Sequence, residues 1–217
     1  MTMANTFVHL RVHSEYSMVD GLVRVKPLIS RVAELGMPAV GLTEQSNMCS
    51  LVRFYKAAMG AGVKPIIGAD IWLENPDEPE TPFRLTLLAR DNDGYLNLTE
   101  IISQGYTEGQ RYGKPIVQKS WLESRAKGLI VLSGAKMGDV GKALLAGKPE
   151  LARERADYWR NLYPDSYYLE LQRTGRAGDE DCLHMSVELA AELGLPVVAT
   201  NDVHFLEADD FEAHEAR

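Results

Sequence analysis

The sequence predicts an α/β fold in which strands and helices alternate along the chain. Short runs of apolar residues alternate seven times with segments whose apolar residues recur at the helical period. Glycine and proline follow several of the helical segments, where they end helices. Continuously apolar strands separated by helices are typical of a parallel sheet that is buried on both faces. The pattern therefore favours a barrel-like or a doubly wound α/β fold.

The predicted elements cover the chain from residue 7 onward. Strands are predicted at residues 7–12, 39–42, 65–71, 83–89, 129–132, 167–171 and 197–200. Helices are predicted at 25–35, 48–61, 93–102, 140–145, 149–162 and 179–193, with a short helix around Trp121 and a last helix from residue 209. An acidic, proline-rich segment at 74–82 and a Gly/Tyr-rich segment at 105–115 are predicted to be connections.

Composition limits the classes of protein that this chain can belong to. The length of 217 residues suits one α/β domain or a fragment of something larger. A net charge of −8 makes the chain a poor candidate for gripping nucleic acid over a broad surface. Cys49 and Cys182 form no CxxC motif, so we expect two reduced thiols. Without a signal peptide or an apolar run of about 20 residues, we expect a cytoplasmic protein with no membrane partner.

Acidic and histidine residues follow several predicted strands, at the end where a barrel gathers its chemistry. The candidate metal ligands are His13, Asp20, Glu44, Asp70, Asp202 and His204. Carboxylates and imidazoles from several strand ends can hold Zn, Mn or Mg, lower the pKa of a bound water and clamp a phosphate. A single Asp at a strand end is more often a helix N-cap than a ligand, so the recurrence is the stronger signal.

Five motifs occur in order along essentially the whole chain: HLRVHSEYSMVDGL, GMPAVGLTE, GVKPIIGAD, LIVLSG and PVVATNDVHFL. Together they resemble the PHP (polymerase and histidinol phosphatase) domain at the N-terminus of bacterial DNA polymerase III α subunits, of the proteobacterial type. The resemblance implies the PHP fold, a distorted seven-stranded (β/α)7 TIM-like barrel, in agreement with the number of predicted strands. It also implies that residues 1–217 form a single PHP domain, an N-terminal fragment of a much longer polymerase chain.

The chain departs from the metal-binding pattern of this family at several positions. Relative to that pattern, Arg11 replaces a histidine of the first motif, and Gln45 replaces the histidine of an Asp-His pair. Arg84 replaces a histidine at the start of the fourth strand, and Ala135 replaces a cysteine after the fifth. Asp70 replaces a glutamate and is shorter by one methylene. The resemblance thus implies a metal site that is degenerate.

The two arginines suggest what took the place of the metal ions. A guanidinium cannot ligate a metal, but it can neutralise converging carboxylates through bidentate ion pairs. The hypothesis is that salt bridges from Arg11 and Arg84 have replaced the metal cluster. We therefore expect no catalytic residues and no cofactor in this domain; Zn, Mn or Mg is expected only if the site is still competent.

Three functions remain open from the sequence. The leading one, implied by the resemblance, is a structural and interaction platform within a DNA-directed DNA polymerase. Its partners would be the proofreading exonuclease subunit, the remainder of the polymerase chain and, through that chain, DNA. The alternative is an active metal-dependent phosphoesterase, either a pyrophosphatase or a 3′–5′ exonuclease. A free-standing small-molecule phosphatase is the third and would require a natural chain that ends near residue 217.

Overall fold

The computed structural model describes residues 7–18 and 20–216 of the chain. By their contacts, the residues group into two compact units. The first unit comprises Met1–Ala69 and Asn201–Arg217, and the second comprises Asp70–Thr200. Among the described helices, none combines the length and the apolar composition that crossing a membrane would require.

The first unit contains helices and strands that share one apolar core. Its elements are a 3-10 helix at Glu15–Ser17, α1 at Val25–Glu34, β1 at Ala39–Gln45, α2 at Leu51–Gly60, the start of β2 at Lys64–Leu73, a second 3-10 helix at Ala208–Asp210 and a C-terminal helix at Phe211–Glu215. Helix α1 buries Leu28, Ile29 and Val32 on one face, as its periodicity predicts. Phe54 and Ala58 of α2 belong to the same buried cluster.

The predicted first strand at residues 7–12 is wrong as a regular strand. The Gly41 N–H donates to the His9 carbonyl oxygen (2.6 Å), whereas the Thr43 N–H donates to the Val12 carbonyl oxygen (3.0 Å). The spacing between bonded residues therefore changes by one along this segment, which interrupts a parallel ladder. The Val12 N–H turns to the Thr43 hydroxyl instead (3.2 Å), and Val12 keeps only an isolated bridge to Val203.

The second unit contains a mixed sheet. Its strands are the end of β2, β3 at Phe83–Ala89, β4 at Gln110–Arg111, β5 at Lys114–Val117, β6 at Leu129–Leu132, β7 at Tyr167–Gln172 and β8 at Val197–Thr200. Their order across the sheet is β4-β5-β2-β3-β6-β7-β8. The pairs β2–β5, β6–β7 and β7–β8 are parallel, whereas β3–β6 and β4–β5 are antiparallel.

Two features of the connections explain why the prediction of a purely parallel sheet is wrong. The segment before β3, residues 74–82, contains no helix and is too short for the crossover that joins parallel strands. The predicted Gly/Tyr-rich connection contains the hairpin β4–β5. Tyr112 and Gly113 at its tip both have positive φ (52° and 72°), which is the backbone of a type I′ turn. Tyrosine is not a residue that signals such a turn.

The helices of the second unit lie close to their predicted positions, except that the helix predicted at 93–102 continues to Glu108, into the predicted connection at 105–115. They are α3 at Asn92–Glu108, α4 at Lys119–Glu123, α5 at Asp139–Leu145, α6 at Pro149–Leu162 and α7 at Asp179–Leu193. The buried Trp159 anchors α6, and its indole N–H donates to the buried carboxylate of Asp139 (3.0 Å). Lys119 Nζ also lies 3.1 Å from that carboxylate, so this interior charge is both paired and hydrogen-bonded.

Asp179, the first residue of α7, should contribute stability that depends on pH. Burial alone would raise its pKa, but hydrogen bonds from Lys136 and Thr174 outweigh burial and lower the pKa to about 2. Because the folded-state pKa lies below the unfolded value, the contribution is present above about pH 4 and is lost as pH falls towards 2. We expect Asp179→Asn to lower the free energy of unfolding by about 2 kcal/mol at pH 7, with the deficit vanishing near pH 2.

Urea unfolding of this variant at several pH values measures the effect. Asp181→Asn, in the first turn of the same helix but exposed, is the matched control. It should cost much less, because an exposed charge near a helix start contributes little. A deficit for Asp179→Asn that is the same at pH 3 and pH 7 would contradict this account.

Candidate metal site

Three of the predicted ligands converge in the first unit. His13 and His204 are buried, Asp20 is partly buried, and one ligand atom from each residue lies within 4.8 Å of the other two. His13 Nδ1 is 2.9 Å from Asp20 Oδ1, and His204 Nδ1 is 3.8 Å from the same oxygen. The two imidazole rings meet edge to face, with their centroids 4.9 Å apart. We call His13, Asp20 and His204 the histidine cluster.

Backbone contacts bring the three residues of this cluster together. The His13 N–H donates to the Val203 carbonyl oxygen (2.9 Å), and the Leu22 N–H donates to the His204 carbonyl oxygen (2.8 Å). Gly21 then lets the loop fold back. A Cβ at this position would lie 2.0 Å from the Ser14 carbonyl oxygen, so only glycine allows the approach that carries Asp20 to His13. The Asp-Gly pair of the first motif therefore has a steric role.

Asp202 connects the histidine cluster to Arg11. His204 Nε2 lies 3.0 Å from one carboxylate oxygen of Asp202, and Arg11 Nε lies 3.5 Å from the other. Arg11 is buried, with 1% of its surface exposed. A guanidinium in such a place requires a carboxylate partner, because an isolated buried charge is costly. Asp202 is thus placed to orient His204 and to neutralise Arg11.

Glu44 is surrounded by serine donors. Its carboxylate accepts hydrogen bonds from the Ser14 N–H (2.9 Å), the Ser17 hydroxyl (2.7 Å) and the Ser50 hydroxyl (2.8 Å), and also from the Ser14 hydroxyl. Glu44 is 1% exposed. These donors satisfy both carboxylate oxygens without a metal ion. We call Ser14, Ser17 and Ser50 the serine cage.

The next residue, Gln45, is held by the same loop. Its N–H donates to the Ser17 hydroxyl (3.0 Å), and its side-chain amide donates to the Ser46 hydroxyl (3.3 Å). Gln45 is buried. Its amide offers no imidazole nitrogen to a metal, and it serves as a hydrogen-bonding core residue.

In the second unit, Asp70 of β2 pairs with Arg84 of β3. Arg84 Nη2 is 3.0 Å from Asp70 Oδ2, and the Thr86 hydroxyl donates to Asp70 Oδ1 (3.2 Å). The Arg84 guanidinium also lies over the Trp72 ring, 5.0 Å from its centroid. Asp70 is fully buried, so this carboxylate is compensated by a cation and a hydroxyl.

Ala135 lies in the same unit, at the start of a 3-10 helix at Ala135–Met137. It is buried and has a positive φ of 46°. A methyl group offers no ligand atom, so this position supplies nothing to a metal ion.

The serine cage and Trp72 were not among the candidate residues from the sequence. Ser14 and Ser17 of the HSEYS motif were visible as hydroxyl donors, but nothing in the sequence pairs them with Glu44, about 30 residues away. The position of Ser50 gave no signal either, since it depends on how α2 begins. The sequence pattern marks Trp72 as an ordinary residue of an apolar strand. Its role comes only from the contact with Arg84.

The histidine cluster has the donors for one cation. Two imidazole nitrogens and a carboxylate oxygen form a set that catalytic zinc sites use, with an open position for water. Asp202 lies 3.0 Å from the other ring nitrogen of His204, where metal-binding histidines usually have a carboxylate that orients the ring. Within the described residues, Glu44 and Asp202 already have partners of their own, so the arrangement suits a single ion better than a multinuclear cluster.

Comparison with known proteins agrees with this fold and these motifs. The profile of the PHP domain matches residues 9–174. The chain is 56% identical over 215 residues to the DNA polymerase III subunit alpha of Pseudomonas aeruginosa and 51% identical over 211 residues to that of Escherichia coli K12. It is covered to 99% and 97% in these alignments but spans only 18% of the length of each relative.

Two solved structures share the fold at low sequence identity. A Bifidobacterium adolescentis protein assigned as a metal-dependent phosphoesterase aligns with a TM-score of 0.59, at 12% identity, over 93% of this chain and 89% of its own. An amidohydrolase of Chromobacterium violaceum with bound sulfate and no metal aligns with a TM-score of 0.58, at 12% identity, over 96% of both chains. These likenesses confirm the predicted fold class. The chain belongs to the PHP domain family.

Proposed function

We infer that this chain is the N-terminal PHP module of a replicative DNA polymerase III α subunit, working in the cytoplasm. Near-complete alignment of the chain at 51–56% identity with two such subunits supports this inference. Because the chain spans only 18% of those relatives, nucleotide transfer is assigned to the rest of the parent polymerase, which also contacts DNA. The module itself is a structural and interaction platform with no catalytic residues of its own.

Two ion pairs between arginines and predicted ligand carboxylates carry this proposal. Arg11 lies against Asp202, and Arg84 lies against Asp70. Both arginines stand where metal-binding relatives have histidine, according to the family pattern. A permanent cation at each position replaces the charge of a metal ion but cannot activate water. The serine cage around Glu44 supports the same conclusion, because it satisfies that carboxylate without metal.

The partner that we assign to this platform is the proofreading exonuclease subunit. Support comes from the family resemblance. Size-exclusion chromatography of the chain mixed with that subunit tests the assignment: we expect a stable one-to-one complex. At concentrations above about 10 μM, an affinity of about 1 μM is enough to form the complex. Separate elution of the two proteins under these conditions would contradict the assignment.

A metal-dependent phosphoesterase is the second candidate, because the histidine cluster retains donors for one ion. In that case His13, Asp20 and His204 would hold Zn, Mn or Mg, which would supply a bound hydroxide as nucleophile. Asp202 would then orient His204.

Turnover assays separate the two candidates. The chain is incubated with pyrophosphate, 4-nitrophenyl phosphate or a 3′-labelled oligonucleotide, each with added Zn, Mn or Mg. The platform proposal predicts rates no higher than those of a His13→Ala/Asp20→Asn variant. Metal-dependent turnover that this double variant abolishes would favour the phosphoesterase.

A further inference from the structure

A basic pocket lies in the first unit, apart from the residues of the histidine cluster. Its volume is about 720 Å³, and it opens between the first 3-10 helix, the start of α1 and one face of α2. The charged and aromatic side chains that line it are Arg24, Lys26, Arg53, Lys56, Glu15 and Tyr16. Four cations therefore face one carboxylate, in a chain whose net charge is −8.

The four cations of this pocket are accessible to an anionic ligand. All four are exposed, and within residues 7–18 and 20–216 none of them forms an ion pair with a carboxylate. Arg53 stacks on the Tyr16 ring, with its guanidinium carbon 5.7 Å from the ring centroid. Like charges gathered around one concavity repel each other unless an anion lies between them. The cluster thus has the electrostatics of an anion site.

The start of helix α1 adds to this positive potential. Arg24 is the N-cap and makes no side-chain capping bond, and the first turn contains no acidic residue. Val25 and Lys26, which line the pocket, have backbone N–H groups that have no partner within the helix. With ten residues, α1 has a macrodipole whose positive end lies at the pocket, where it favours oxyanions.

We propose that this pocket binds a ligand that carries a di- or triphosphate group. Several negative charges close together match four cations and a helix start better than dispersed carboxylates do. The volume is in the range of small-molecule sites, and the side-chain stems of Arg and Lys offer apolar contact for an uncharged part of the ligand. The phosphates could belong to a nucleotide or to a free inorganic polyphosphate. This inference does not depend on the proposed function.

Isothermal titration calorimetry at low ionic strength tests the pocket with inorganic tripolyphosphate and with dATP. Both probes should bind the 217-residue chain, and Arg53→Ala/Lys56→Ala should weaken binding about tenfold or more, because two charge-assisted contacts are lost. Arg31→Ala/Lys64→Ala removes the same charge outside the pocket and should change affinity less than about twofold. Glu15→Gln removes the opposing carboxylate and should tighten binding.

The two possible sources of the phosphates give different results. Equal affinity for tripolyphosphate and dATP identifies the phosphates alone as the ligand, whereas tighter dATP binding, with no binding of deoxyadenosine, identifies a nucleotide. Three results would overturn the proposal: no binding of either phosphate probe, equal losses in the pocket and control variants, or equally tight binding of an oligoglutamate peptide. All substituted residues are exposed, so unchanged thermal unfolding should accompany every variant.

Discussion

Replacing Arg84 with Met should lower the free energy of unfolding by about 3–5 kcal/mol, which is the usual cost of breaking a buried ion pair. Asp70 is fully buried, and Arg84 Nη2 lies 3.0 Å from its carboxylate. The substitution removes the arginine from this buried charge, to which the Thr86 hydroxyl still donates. It also removes the cation from the face of Trp72. Urea unfolding followed by circular dichroism measures the loss.

Two comparisons make this prediction specific to the buried pair. Arg90→Met removes an arginine whose partner, Asp91, is half exposed at 3.8 Å, and should cost less than about 1 kcal/mol. Adding Asp70→Asn to Arg84→Met should restore part of the lost stability, because the buried charge that lost its arginine is then gone. If Arg84→Met lowers the free energy of unfolding no more than Arg90→Met does, the buried charge of Asp70 is not stabilised by Arg84.

The double substitution Ser17→Ala/Ser50→Ala should cost about 3 kcal/mol or more, because each hydroxyl bonded to a buried charge contributes about 1.5–3 kcal/mol. The two hydroxyls lie 2.7 and 2.8 Å from the Glu44 carboxylate, which is 1% exposed. Thermal and urea unfolding measure the effect. Ser30→Ala on the exposed face of α1 is the control and should be nearly neutral.

A different outcome for the serine variants would be informative. If Ser17→Ala/Ser50→Ala is as stable as the unmodified chain, the Glu44 charge must be compensated by something other than the serine cage. Increased binding of Zn or Mn by this variant would identify that compensation as a metal ion, and it would contradict the assignment of Glu44 to a structural role.

The sequence was sufficient for the fold class and for most element positions, because apolar periodicity and Gly/Pro signals are local. It was not sufficient for the strand directions. The direction of β3, which is antiparallel to β6, is constrained by the short connection from β2 at residues 74–82, and the sequence shows that connection only as a polar loop. The change of register between residues 9–12 and β1 depends on the Thr43 hydroxyl taking a backbone donor. A hydroxyl that competes for a backbone N–H leaves no trace in the spacing of apolar residues.

The residues of the candidate site were easier to find than their partners. Motif position singled out Arg11 and Arg84 as fixed cations. The need to neutralise converging carboxylates predicted carboxylate partners for them. Which carboxylate each arginine meets depends on the three-dimensional arrangement: Asp202 for Arg11, and Asp70 for Arg84. Glu44 was predicted as a ligand like the others. Ser14 and Ser17 of its serine cage lie about 30 residues away along the chain, so no sequence pattern pairs them with Glu44.

Metal content tests the central claim, that arginine pairs have replaced the metal cluster, most directly. The chain is purified without chelators, dialysed against Zn and Mn, freed of excess metal and measured by inductively coupled plasma mass spectrometry. We predict far less than about one equivalent of bound metal per chain, and a clear increase when Arg11→His, Gln45→His and Arg84→His are introduced together, since histidine supplies the missing ligands. Stoichiometric Zn or Mn in the unmodified chain would contradict the account.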